Sequence, residues 1–190
     1  MMLNFINDAW QLLRMRFKPL TEYHYSPVVM AAILLVLAVG EAQGFMPVLG
    51  LDQYRTVGIA FAFVVLNWLV FSQTMRVFLH YYGAPKLPLA PFVLLSQSLA
   101  IPAMLFVYLP ASIALTIAVA WKFWCVWVRV NALSRGSDVT PLYVLLGHLA
   151  CFVAMMLASM LLLVMLISFG VLDVNVLMAN VEAMQQTMTP

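Results

Sequence analysis

Apolar residues in this chain come in long blocks separated by short polar breaks, and the blocks set the number of elements. The longest uncharged run lies between Lys86 and Lys122 and reads LPLAPFVLLSQSLAIPAMLFVYLP and then ASIALTIAVAW. One bilayer crossing takes about 20 residues, so this run is too long for one span and long enough for two short ones meeting at Pro110. It predicts a tight helical hairpin, about 88–109 and 111–131, with both outer ends in the same compartment. Three further blocks predict spans at about 26–46, 56–78 and 142–171. In the first, only Val28 to Val39 is strictly apolar, so the span is short or ends in a wet vestibule around Glu41 and Gln43. The last opens on Pro141, a favoured first helical residue. At about 1.5 Å per residue it outruns the roughly 30 Å of hydrocarbon, so it tilts or protrudes. Ala38-Val39-Gly40 also matches a small-x-small cleavage pattern behind an apolar core, but the leader ahead of that core is long and partly apolar, and a retained span is expected.

Both ends of the chain are amphipathic rather than uniformly apolar. In residues 1–19, Met2, Phe5, Ile6, Ala9, Trp10, Leu13 and Phe17 recur at three-and-four spacing, with Asn4, Asp8, Gln11, Arg14 and Lys18 opposite. This predicts a helix running to Lys18 and closed by Pro19, which cannot donate a helical hydrogen bond. Such a helix lies in the headgroup layer with Arg14, Arg16 and Lys18 toward anionic lipid, or packs on the ends of the spans. The tail, 172–190, repeats Val174, Leu177, Met178, Val181 and Met184 and predicts a second interfacial helix. Gly83 to Pro88 reads as a turn and Asn131 to Thr140 as a polar loop.

Composition turns these blocks into a fold class. Of 190 residues, 65% are apolar and 8% charged, against about 25% charged in an ordinary soluble domain. Mean hydropathy is +1.02. The expectation is an all-α, polytopic membrane bundle: a membrane domain over 20–171 with five transmembrane helices, an N-terminal amphipathic interfacial helix and a short tail. The net charge of +2 is small and scattered, which argues against a nucleic-acid surface. The partners expected are the lipid bilayer and other membrane proteins or a second copy of the chain. Cys125 and Cys151 sit in apolar runs, where cysteine acts as a small hydrophobe. Eight of the nine Lys and Arg fall on one side of the predicted spans, leaving Arg55 alone on the other. Basic loops stay in the cytoplasm, so the N-terminus is expected inside and the C-terminus outside, across a cell inner membrane.

Ionisable groups at membrane depth are functional candidates, because even modest insertion scales charge them about 2.5 to 3.5 kcal/mol at the centre. Lys122 leads, about two turns inside the fourth span on a face with Ala118, Cys125 and Arg129. Its stem can snorkel, and Trp121, Phe123, Trp124 and Trp127 offer ring faces to its ammonium. Glu41 with Gln43 sits at the outer end of the first span, either as a solvated surface carboxylate or as a proton or cation site. Asn67, Gln73, Ser96, Gln97 and Ser98 are uncharged groups of the kind that bond between helices. Pro102 frees a backbone carbonyl near Ser98 and marks a kink. His80 and His148 fall near the cytoplasmic side, where interface histidines are the plain reading and a haem or metal pair the sharp one. No hydrolase, metalloprotease or nucleotide-loop motif occurs, so no catalytic residue, cofactor or metal is expected.

Several short motifs resemble one family. Tyr25-Ser26-Pro27 ahead of the first span is similar to the Tyr-Gly-Pro that opens the membrane domain of Yip (Ypt-interacting protein) family members. The run Gly83 to Pro110, with Pro102 inside it, resembles that family's third span, and Ser134-Arg135-Gly136-Ser137 feeding Thr140 matches the approach to its last one. Ser26 replaces the family's glycine, and Gln97-Ser98 replaces a Gly-Tyr ahead of the third-span proline. Eukaryotic members, with far longer N-terminal regions, bind Rab-type GTPases and shape secretory membranes. What the resemblance implies here, over residues 20 to 171, is a compact five-span architecture with the N-terminus inside.

Two functions follow as expectations. The first is a non-catalytic scaffold or assembly subunit acting through lateral helix contacts. The second is a small transporter or channel subunit using Glu41, Gln97 and Lys122.

Overall fold

A computed structural model of the chain describes residues 2–188. Among them the order is α1 (Met2–Leu13), a single 3-10 turn (Leu20–Glu22), α2 (Pro27–Leu49), α3 (Gln53–Tyr81), α4 (Leu89–Ser98) continued by a 3-10 segment (Ile101–Tyr108), α5 (Ala111–Ser137), α6 (Pro141–Ser168) and α7 (Val174–Met188). No strand occurs among the described residues. Five of these units are long and apolar enough to cross a membrane: α2, α3, α4 with its 3-10 continuation, α5 and α6. Their connections are short, so successive units run antiparallel.

The ends of the helices follow local chemistry. Ser26 accepts from Val29 N–H to start α2, and Asp52 accepts from Arg55 N–H to start α3. Between them Gly50 takes a left-handed φ of 63° and closes α2. That position suits glycine, which meets no Cβ penalty there. α2 therefore continues past Glu41 and Gln43 to Leu49 instead of fading near residue 46, and α3 overruns its predicted ends in both directions.

α4 is the centre of the bundle. Phe92, Val93, Leu94 and Leu95 are all fully buried, and Trp68 of α3 donates its indole N–H to Ala90 O at 2.8 Å. In its apolar stretch 44% of residues are buried, against 6% for α6, so α4 is the inner element and α6 the lipid-facing one. α6 meets the bundle along Val144, Gly147 and Cys151. A Cβ on Gly147 would lie 2.9 Å from Met75 Sδ and 3.0 Å from Phe78 of α3, so a larger residue there would make these side chains give way.

Three sequence expectations need correction here. α1 stops at Leu13, not Lys18, because the chain reverses at Met15, whose φ is +57°. Asp8 is not on the wet side. It is buried with Phe5 and Leu12, held by Lys18 Nζ at 2.6 Å and Tyr25 OH at 3.0 Å, while Met2, Ile6 and Trp10 stay exposed. α1 thus packs on the ends of α4 and α5 and still presents an apolar edge. Finally, Asn131 to Ser137 is not a loop: α5 runs on through it to a left-handed cap at Asp138, with Ser137 Oγ turned back to Leu133 O at 2.6 Å. The tail does form a helix, α7, which packs on the far end of α2, where Asn180 donates to Val48 O at 3.1 Å. The Met184 side chain and residues 1, 189 and 190 lie outside the described set.

Candidate functional site

The site begins with a defect in α4. In a regular α-helix Ala100 N–H would bond Ser96 O, but here it donates to Gln97 O at 3.0 Å, and the chain tightens into the 3-10 segment that opens at Ile101-Pro102. Pro102 has no N–H to give back to the preceding turn. Carbonyls left over by this break are answered from α5. Trp121 Nε1 donates to Leu99 O at 2.8 Å, Cys125 Sγ approaches the same oxygen at 3.7 Å, and Arg129 Nη2 donates to Ser96 O at 3.3 Å. The kink expected at Pro102 is therefore a change of helix type, and it draws an arginine into the bundle.

Beside the break lies a partly open cavity of about 320 Å³ to which all five spans contribute. Its polar lining is Glu41 from α2, Asn67 from α3, Gln97 from α4 and Arg129 from α5, with Phe63 and Met155 among the apolar walls. Glu41 and Asn67 are exposed at its mouth, and Gln97 and Arg129 are half-buried. Asn67 is the middle residue of α3, so the cavity lies about half-way along that helix. Gln97 Nε2 donates to Asn67 Oδ1 at 3.4 Å.

Two polar atoms of the residues that line this cavity are buried without a partner: Arg129 Nε and Gln97 Oε1. The Arg129 guanidinium rests on the Phe71 ring, 5.0 Å from its centroid. Glu41 makes no ion pair with it. Among the described residues the ion pairs are Lys18 with Asp8 and Arg55 with Asp52. An acid and a base thus line one space inside the bundle without pairing with each other.

Other sequence candidates fall elsewhere. Lys122, the leading candidate, is exposed on the outside of α5 with no ion pair or ring contact, because Phe123, Trp124 and Trp127 around it also face outward. Cation-π contacts are made instead by Arg129 with Phe71, Arg14 with Trp10 and Arg135 with Phe17. His148 lies one ring beyond: Phe71 meets its edge at 5.2 Å, its Nδ1 is bonded to Val144 O at 2.9 Å, and its Nε2 is buried without a partner. No group of three His, Cys, Asp or Glu among the described residues is placed to hold a metal, and His80 instead bonds Ala84 O at 2.9 Å. Ser96 and Ser98 do not bridge helices, since they bond Val93 O and Leu95 O within α4. Asn67 was legible as polar at depth, but nothing in the sequence told which of the polar groups share a cavity.

A second polar cluster ties α1 down outside the spans. Tyr23 OH accepts from Lys18 N–H at 3.2 Å, next to the bonds that Lys18 and Tyr25 make to Asp8. The hydrogen bond to Asp8 raises the Lys18 ammonium above its ordinary range. Burial, with the Asp8 carboxylate beside it, pushes the Tyr25 phenol far up.

Compared with known proteins, the chain matches no family model, no curated protein and no solved structure.

Proposed function

We propose that this chain is a multi-pass membrane protein that admits a small polar solute to its mid-membrane cavity, acting as a small transporter or as the solute-binding subunit of one. The observation that carries the reading is the pair Glu41 and Arg129, which line one cavity without forming an ion pair. Each costs about 2.5 to 3.5 kcal/mol or more at that depth, and a purely structural pair would close on itself to recover part of that cost. This reverses the order of the two functions expected from the sequence and replaces Lys122 by Arg129 in the second. The test is flux of small polar solutes into proteoliposomes. Glu41→Gln and Arg129→Gln should each lower it about tenfold or more, and Lys122→Gln should leave it within about twofold. Flux indifferent to both cavity substitutions overturns the reading.

A lateral assembly role is the second reading, and α6 favours it. Much of its outer face is left uncovered by the bundle, including Leu149, Phe152, Met156 and Met160. Cross-linking from Met156→Cys that yields a discrete dimer or a single partner supports it; monomer alone removes it. In the same proposal the membrane is the cell inner membrane and the N-terminus is cytoplasmic. The support is the basic set Arg14, Arg16, Lys18, Arg76, Lys86 and Arg135 at the end of the bundle that carries α1. Kinship with the Yip family belongs here too, resting on Tyr25-Ser26-Pro27 and the Pro102 span.

A further inference from the structure

The chemistry of the cavity narrows the kind of solute, given the reading of the cavity as a solute site. We propose that it takes a small zwitterion, with the anionic group on Arg129 and the ammonium on Glu41. A guanidinium presents a planar fork of donors that matches carboxylate or phosphate oxygens. In Arg129 one arm is spent on Ser96 O, Phe71 holds the plane from one side, and Nε is left facing no acceptor. An anionic oxygen is the group that completes it. Across the same cavity Glu41 has no hydrogen bond or ion pair. An ionised carboxylate only accepts, so its partner must donate, and a cationic donor is preferred in a medium of low dielectric.

The same cavity is lined by the Asn67 and Gln97 amides, bonded to each other, with one end of the Gln97 amide unanswered. They give a solute neutral polar contacts and nothing that favours either sign. The cavity's own formal charge sums to zero. A lone anion would leave Glu41 uncompensated and a lone cation would leave Arg129 so, whereas a zwitterion answers both. The volume of about 320 Å³ sits at the lower limit for small-molecule sites and suits a solute of amino-acid size. Two sources share this chemistry: a soluble amino acid or aminophosphonate, and the aminoethyl-phosphate headgroup of a lipid.

The experiment measures equilibrium binding to the full chain in nanodiscs of phosphatidylglycerol, which has no amine. The probes are radiolabelled glycine, β-alanine, 4-aminobutyrate and 2-aminoethylphosphonate, with acetate and methylammonium as single-charge controls. The expected result is that at least one zwitterion binds about tenfold or more tightly than either control. Glu41→Gln should remove that advantage, with acetate bound at least as tightly as before because no carboxylate then opposes it, and Arg129→Gln should remove both. Glu41 is exposed at the cavity mouth, so Glu41→Gln carries the test even where Arg129→Gln fails to fold. Repeating the measurement in phosphatidylethanolamine separates the sources. Competition against the soluble probes, with retained lipid lost from Glu41→Gln, assigns the headgroup; no competition assigns the soluble solute. Equal binding of acetate and zwitterions, or a Glu41→Gln protein that behaves as wild type, overturns the proposal. Arg129-dependent flux of a purely anionic solute would sink the zwitterion and keep the transport reading, whereas no cavity-dependent binding or flux of any probe removes both.

Discussion

Asp8 shows how one residue sets the position of a whole helix. It is the buried charged residue of the described chain, and it is tolerated because Lys18 and Tyr25 both reach it. Tyr25→Phe removes a hydrogen bond to a charged group while keeping the ring that packs against Phe5 at 4.8 Å. We expect it to weaken the docking of α1 by about 1 to 2 kcal/mol, read as increased mobility of a spin label at Leu3→Cys. The same label should report pH. Lys18 and Tyr25 both hold their protons more tightly in the folded chain than at the ordinary values of 10.5 and 10.0. The folded state therefore binds more protons once pH exceeds those values, and its stability falls as pH rises. Docking should be constant through neutral pH and be lost progressively above about pH 10. A transition near pH 6 instead would rule out this clasp.

At the scale of elements, the molecule is held by how closely helices approach. Gly147 lets α6 lie close on Met75 and Phe78 of α3, whereas a Cβ at Gly58 in α3 would meet nothing within 4 Å. Gly147→Val should therefore cost about 1 to 3 kcal/mol through overpacking against Met75 and Phe78. Gly58→Ala should be neutral or stabilise by up to about 1 kcal/mol through its helical preference. Unfolding in mixed detergent micelles compares the two; equal effects would mean that the α3 and α6 contact contributes nothing. The break in α4 belongs to this scale as well. It leaves Ser96 O and Leu99 O to be answered by Arg129 and Trp121, so one irregular turn both joins α4 to α5 and shapes the cavity.

For the whole molecule, α1 and α7 pack at opposite ends of α2, α1 through the contact of Phe5 with Tyr25 and α7 through Asn180 and Val48. An odd number of spans requires this. Leu3→Cys and Asn175→Cys should accordingly react with a membrane-impermeant maleimide from opposite faces, and the proposed orientation puts Leu3→Cys on the cytoplasmic one. Labelling of both from one face would remove a span from the count and, with it, the mid-membrane depth of the cavity.

The five membrane-length apolar helices and a helix ahead of the first of them were legible from the order of residues, whereas Glu41, read as the outer end of the first span, lies inside α2 and lines the cavity. The physical reason is that a crossing must be about 20 residues long, apolar and internally hydrogen-bonded, and each of these is a local property. Which side of a span faces its neighbours was not legible. In water a helix shows its buried face by being apolar, but in lipid both faces are apolar and periodicity carries no such signal. Lys122 and Arg129 lie seven residues apart on α5 and share a face on paper, yet one points outward and the other is drawn to Ser96 O. That difference comes from the broken turn of α4 lying opposite Arg129 and from the bundle leaving Lys122 uncovered. Only the packed chain decided it.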